Sequence, residues 1–258
     1  MTNSLSLYIP GNSLIHNLNP LTKLTLTFFL IVFGFVLPGY WTSYALTLLV
    51  VIPLAIISGV WKTLIRTTFN IVWPFALSII LIQGFLWGSG DILFSVGPLN
   101  FWSDGLVFSI KSIGNILLFT ISFLLLSLTT RPDHLMLALS QVGIPKSITY
   151  VVVTAIQIAP YIQARASKII DAQRSRGLRT EGNIFIRSRA LIPMILPLIL
   201  SSLVDVEERS IAIEARAFQS PTHKSSLFEI SDSQGQRLIR YFLFITMILL
   251  MVIRIWLL

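Results

Sequence analysis

Two short arginine-bearing stretches hold the side chains best suited to chemistry in this 258-residue chain. One is Ala172-Gln173-Arg174-Ser175-Arg176-Gly177. The other is Glu214-Ala215-Arg216-Ala217-Phe218, with its Arg forty residues after Arg176. The chemistry a guanidinium offers is recognition: its planar fork donates paired hydrogen bonds to a carboxylate and keeps its charge when desolvated. Arg176 lies between Ser175 and Gly177, and Arg216 between Ala215 and Ala217. Small flanks let a helix end enter a groove with the guanidinium leading. Two such tips imply two acidic grooves, hence a pair of similar partner subunits. For a single Arg the alternative is complementarity to the helix dipole, worth about 0.3–1 kcal/mol. Recurrence at the ends of two long amphipathic helices favours docking.

Other chemistry is excluded residue by residue. No Gly-Lys dipeptide occurs, so there is no phosphate-binding loop, and ATP hydrolysis by the chain alone is not expected. With no Cys, disulfides, thiol catalysis and Cys-ligated metals are ruled out. His16, His134 and His223 are far apart and lack metal-ligand spacing. Neither a G-x-S-x-G elbow nor an H-E-x-x-H helix is present. Glu207 and Glu208 are adjacent, so on a helix they diverge by about 100° and form no dyad.

The elements that must position the arginines belong to a membrane protein. The chain is 54% hydrophobic and 12% charged, against about 25% charged in soluble domains, and its mean hydropathy is +0.81. Five stretches are expected to cross a bilayer: Leu24–Leu37, Ser43–Trp61, Ile71–Trp87, Leu106–Leu128 and Tyr241–Leu257. The net charge of +8 follows the positive-inside pattern rather than marking a nucleic-acid binder. Residues 131–240 hold fourteen of the nineteen Lys and Arg, whereas the 88–105 loop carries only Asp91 and Asp104. This places the N-terminus and the 131–240 segment on the cytoplasmic side. The first basic residue is Lys23, so the start does not read as a cleavable signal. Within the spans, Lys111 reads as a snorkelling residue rather than a substrate path. Gly84-Phe85-Leu86-Trp87-Gly88 is either a close-packing motif or a plain loop boundary.

The segment after the fourth span is both basic and apolar. A short helix opens at Thr130-Arg131-Pro132-Asp133, with Thr130 or Asp133 as its cap, and stops near Gly143-Ile144-Pro145. A second helix is expected from about Ser147 to Arg176, with Gly177 where a C-cap glycine belongs. A third runs from about Arg189 to Arg216 or Phe218, kinked or broken at Pro193 and Pro197. The apolar halves, 147–160 and 191–204, either pack under the spans or insert as two further spans. Gln157 and the shortness of the second favour packing. The expected organisation is therefore residues 1–130 as an N-terminal tail with four transmembrane helices, 131–236 as the coupling-helix region, and 237–258 as a C-terminal transmembrane helix.

These residues resemble a known family. The paired Arg motifs are similar to the Ala-Arg-Gly signatures of the transmembrane T component of energy-coupling-factor (ECF) transporters, the EcfT/CbiQ family. Arg176 and Arg216 match; Ser175 replaces the first Ala and Ala217 the second Gly. Thr129-Thr130-Arg131-Pro132-Asp133-His134-Leu135 with Ala138-Leu139 resembles the family's T-T-x-P-x-x-L-x-x-A-L stretch. Ala155-Ile156-Gln157-Ile158-Ala159-Pro160 resembles its A-L-R-F-x-P stretch, with Gln157 where Arg is common. His16-Asn17-Leu18-Asn19-Pro20-Leu21-Thr22-Lys23-Leu24 is similar to H-x-L-D-P-R-T-K-L, with Asn19 and Leu21 in place of Asp and Arg. The likeness is dense over 129–218 and present at 13–24.

The resemblance implies an all-α integral membrane scaffold in the bacterial or archaeal cell membrane, with about five transmembrane helices, two long coupling helices and one short helix. Its implied partners are two ATP-binding-cassette (ABC) ATPases and a separate substrate-binding membrane subunit for a vitamin or transition-metal ion. ATP and Mg would sit on the ATPases, and this chain would hold no cofactor. Ser175, Arg176, Gly177, Ala215, Arg216 and Ala217 would make the ATPase contacts, supported by Ala172, Gln173, Glu214 and Pro160. The alternative is a conventional ABC permease that binds substrate in its own core. An intramembrane enzyme is disfavoured because the expected spans carry no Asp, Glu or His. A passive anchor would show no dependence on ATPase activity.

Overall fold

A computed structural model describes residues 7–37, 39–86, 90–96, 99–178, 183–217 and 230–257. In chain order the elements are α1 (Pro20–Val36), α2 (Thr42–Leu46), a π-helical turn (Thr47–Val51), α3 (Ile52–Ser58) and α4 (Trp61–Leu86). There follow β1 (Ile92–Val96), β2 (Leu99–Trp102), α5 (Ser103–Thr129), α6 (Pro132–Gln141), α7 (Lys146–Ser175), α8 (Ile184–Ala215) and α9 (Gln234–Leu257). The protein is an all-α integral membrane protein with one small hairpin among its described residues. The chain divides into two compact units. One comprises Ser6–Thr149 with Ile230–Leu258; the other comprises Tyr150–Glu229 with residues 1–5.

In the larger unit, α5 is the central helix and packs against α1, α2, the π-turn and α4, while α9 packs on α1. Leu118, Ile121, Leu124, Leu125 and Leu128 of α5 form the core with Leu30, Val51 and Leu64. The π-turn precedes Pro53, which removes one backbone donor, and wider i→i+5 spacing accommodates that loss. Gly59, at φ +75°, ends α3 in the left-handed region and lets α4 start two residues later. α4 and α5 approach closely: a Cβ on Gly105 would stand 2.2 Å from the Gln83 carbonyl oxygen. A Cβ on Gly84 would stand 2.0 Å from the Phe101 ring. Gly84 is thus a packing position, while Gly88 lies outside the described residues.

The stretch at 13–24 ties this unit together. The Asn19 side chain, 2% exposed, caps α1 by accepting from the Leu21 N–H at 2.9 Å. Its amide donates to the Ser231 carbonyl at 3.3 Å, and its N–H donates to Gln236 Oε1 at 2.9 Å. The Lys23 ammonium, 6% exposed, donates to the carbonyls of His16 at 3.0 Å and Thr129 at 2.9 Å. The tail, the end of α5 and the start of α9 therefore meet at the foot of α1.

The structure revises several expected boundaries. Residues 62–70, read as a loop, are the first turns of α4, which begins at Trp61 rather than Ile71. Lys62 and Arg66 are solvent-facing on it and do not interrupt the helix. The second expected span, Ser43–Trp61, is the 17-residue stretch Thr42–Ser58 carrying the π-turn. Residues 92–102, read as loop, form an antiparallel hairpin that pairs Phe94 with Phe101 and stacks their rings at 4.7 Å. Of the expected kink or break at Pro193 and Pro197, the break does not occur: α8 stays helical through both. Neither Thr130 nor Asp133 caps α6. Arg131 occupies the cap position without a side-chain cap bond, and Asp133 pairs with it at 2.7 Å.

Among the described residues, four helices are long and apolar enough to cross a membrane: Trp61–Leu86, Ser103–Thr129, Lys146–Ser175 and Gln234–Trp256. α7 joins this set because residues 146–163 carry one charge, Lys146.

Candidate functional site

The Arg-bearing stretches fall at the C-termini of α7 and α8, in the smaller unit. α7 ends in a complete Schellman motif: Leu178 N–H donates to the Gln173 carbonyl at 3.0 Å, and Gly177 N–H donates to the Arg174 carbonyl at 2.9 Å. Gly177 takes φ +91°, which a side chain disfavours. Arg176 is therefore the C-cap residue. At α8, Ala217 N–H donates to the Glu214 carbonyl at 2.9 Å, and Ala217 takes φ +52°. Arg216 is again the C-cap residue, followed by a residue in the left-handed region. The local backbone around the two arginines is thus alike, although one tip has Gly and the other Ala. Phe218 and His223 lie outside the described residues.

Both tips are exposed. Ala172, Ser175, Arg176, Gly177, Glu214, Ala215, Arg216 and Ala217 all face solvent. Neither the Arg176 nor the Arg216 guanidinium has a hydrogen-bond or ion-pair partner among the described residues. Ser175 Oγ donates to the Asp171 carbonyl at 3.1 Å, and Arg174 lies 4.0 Å from Asp171. The chemistry of these ends is that of two forked cations, unpaired among the described residues, on helix C-termini where the dipole already favours positive charge.

The supporting residues have structural roles that the sequence only partly announces. Pro160 sits inside α7, which stays helical through it. Pro197 cannot donate to the Pro193 carbonyl, its i−4 partner, so that oxygen is orphaned within α8. The Gln173 amide of α7 approaches this oxygen at 3.5 Å. A second link joins the same helices. Arg165 Nη1 donates to Asp205 Oδ2 at 2.5 Å and Nη2 donates to Oδ1 at 3.1 Å, a bidentate pair. The same guanidinium stacks 4.6 Å from the Tyr161 ring centroid and bonds its hydroxyl. The two residues stand forty apart in the sequence, so no local pattern pairs them.

Among the described residues, no group of three or more His, Cys, Asp or Glu side chains converges to hold a metal ion. The same two helices carry large apolar faces, with Val151 and Ile156 of α7 and Leu196, Leu200 and Leu203 of α8 exposed.

A family model described as "Cobalt transport protein", CbiQ, matches residues 11–227. The chain belongs to the CbiQ/EcfT family. Among its relatives, the energy-coupling factor transporter transmembrane protein EcfT 1 of Listeria monocytogenes is 31% identical over 222 residues, covering 82% of this chain and 83% of that protein. The EcfT of Bacillus subtilis is 30% identical over 226 residues, with 82% and 83% covered. That of Thermosediminibacter oceani is 27% identical over 237 residues, with 86% and 87% covered. As a CbiQ/EcfT member the chain is a transmembrane, non-catalytic component of an ECF transporter.

Proposed function

We propose that this chain is the coupling subunit of its transporter, carrying conformational change from two ABC-type ATPases to a separate substrate-binding membrane subunit. The observation that carries the reading is the pair of exposed C-cap arginines with no partner among the described residues. An unpaired guanidinium held at a helix tip is arranged for a carboxylate on another chain. Arg176 would enter a groove on one ATPase and Arg216 the matching groove on the other. Ser175, Gly177, Ala215 and Ala217 would keep the approach narrow.

ATP and Mg belong to the ATPases, and this chain contributes no cofactor. The apolar faces of α7 and α8 would bind the substrate-binding subunit and tilt it when the ATPases close, moving a vitamin or transition-metal ion inward. The excess of Lys and Arg in 131–240 supports a cytoplasmic position for the coupling region and the N-terminus.

The experiment is gentle purification of the tagged protein from its native membrane, followed by mass spectrometry of what accompanies it. Two ABC ATPases and a small apolar membrane protein are expected. Recovery as a self-dimer with an external binding protein would overturn the reading and move the substrate site into this chain.

A further inference from the structure

We infer that the Arg165–Asp205 ion pair is the fulcrum of the coupling element, where displacement of one Arg tip is handed to the other helix. The inference rests on the docking reading of Arg176 and Arg216.

The register is the first argument. Arg165 stands eleven residues before Arg176, and Asp205 stands eleven residues before Arg216. Eleven residues are three helical turns, so each clamp residue lies on the same face as its tip, about 16 Å away along the axis. Neither arm, 166–175 or 206–215, contains Pro or Gly, and both are helical throughout. The two levers are therefore stiff and of equal length.

The second argument is direction. Passing along α7 from Arg165 to Gln173, the contacts on α8 move back from Asp205 to Pro193. The helices run antiparallel, so the two tips point away from the clamp in opposite senses, with the clamp midway between them. A pair of similar ATPases related by a two-fold axis presents its grooves in that arrangement. The ion pair would then lie on the axis itself.

Chemistry supplies the third. Apolar contacts are non-directional and let helices slide. A bidentate Arg–carboxylate pair fixes position and angle together, and the Tyr161 ring holds the guanidinium plane from one side. Prolines stand on the other side of each clamp residue: Pro160 lies five residues before Arg165, and Pro197 eight before Asp205. Each helix is thus rigid toward its tip and lacks backbone bonds beyond the fulcrum. Arg165 and Asp205 are positioning residues, which need touch neither ATP nor substrate.

The absence of native Cys allows clean labelling. Spin labels at Ile156→Cys and Leu196→Cys, nine residues before the clamp on each helix, report the region beyond the fulcrum. In the reconstituted complex, ATP with vanadate should shift their distance distribution. In Arg165→Gln, the ATPases should stay bound at wild-type stoichiometry and hydrolyse ATP, while the ATP-dependent shift is lost. The exchange Arg165→Asp with Asp205→Arg should restore it. An unaltered shift in Arg165→Gln overturns the fulcrum, as does failure of the exchange to restore it. If Arg165→Gln is not recovered from membranes, Arg165→Lys keeps the charge without the fork and should still lose the shift; a full shift in that variant overturns the proposal. Loss of ATPases from Arg176→Glu but not from Arg165→Gln separates the fulcrum from docking. Retention of ATPases by the tip variants would defeat the docking reading instead.

Discussion

The two helix tips invite a pair of substitutions with opposite expected effects. Gly177 takes φ +91°, and nothing lies within 4 Å of the position its Cβ would occupy. Gly177→Ala therefore meets no steric neighbour, and its whole cost is backbone conformation, about 1–2 kcal/mol. That cost falls on the bonds that close α7, from Gly177 N–H to Arg174 and from Leu178 N–H to Gln173. Ala217 already occupies φ +52° with a side chain. Ala217→Gly relieves the strain but gives back about 0.4–1 kcal/mol through the greater freedom of Gly in the opened state. A net gain of up to about 1.6 kcal/mol is left. Hydrogen exchange of the cap amides in the purified protein reads both. Exchange at 177 and 178 should quicken about 5–30-fold in Gly177→Ala, and exchange at 217 should slow by up to about fifteenfold in Ala217→Gly. Changes of the same sign at both tips, or none at Gly177→Ala, would refute the assignment of left-handed caps after both arginines.

Three further outcomes are expected. Asn19→Ala removes an N-cap and the tie to Ser231, so thermal unfolding in detergent should shift down by more than the roughly 1 kcal/mol of a cap alone; an unchanged midpoint would contradict the junction at the foot of α1. Gly105→Ala should destabilise by about 1–3 kcal/mol and more than Gly84→Ala, because the first meets the Gln83 backbone and the second a ring that can shift; the reverse order in thermal melts would count against the α4–α5 contact. The Asp232 carboxyl is held below its ordinary range mainly by the hydrogen bond from Arg240, with the charges of Arg240 and Arg237 adding to it. A depressed folded-state value means stability present above the unfolded carboxylate pKa of about 3.9, lost as pH falls through the folded value. Acid melts of the wild type should lose that increment below about pH 4, and Asp232→Asn should lack this component.

What the sequence made legible follows from which forces act locally. Long apolar runs and C-cap signals located α5 and α7 to within three residues, because hydropathy and capping are written in adjacent positions; α8 and α9 start five and seven residues before the expected positions, where polar or charged residues interrupt the apolar run. The start of α4 was misplaced because Lys62 and Arg66 look like loop residues, yet charge on an exposed face does not end a helix. The hairpin at 92–102 was missed because it is held by cross-strand aromatic packing of Phe94 on Phe101, with Phe85 edge-on to both. α8 was expected to kink or break at its prolines and stays one helix; the Gln173 amide, twenty residues before Pro193, sits against the carbonyl that Pro197 leaves unpaired. Partners at that separation leave no local trace. The Arg165–Asp205 pair did leave one, the equal eleven-residue offset from the two tip arginines, but only once those tips are treated as equivalent. The junction at Asn19 and Lys23 lies inside a stretch whose family likeness was visible and whose structural purpose was not.

The most direct test of the coupling account is the stoichiometry of the complex carried by the Arg176→Glu, Arg216→Glu double variant, purified gently from its own membrane and quantified by mass spectrometry beside the wild type. The account predicts two ABC ATPases per wild-type chain and none on the double variant, which still reaches the membrane. Full retention of both ATPases by the double variant would contradict it.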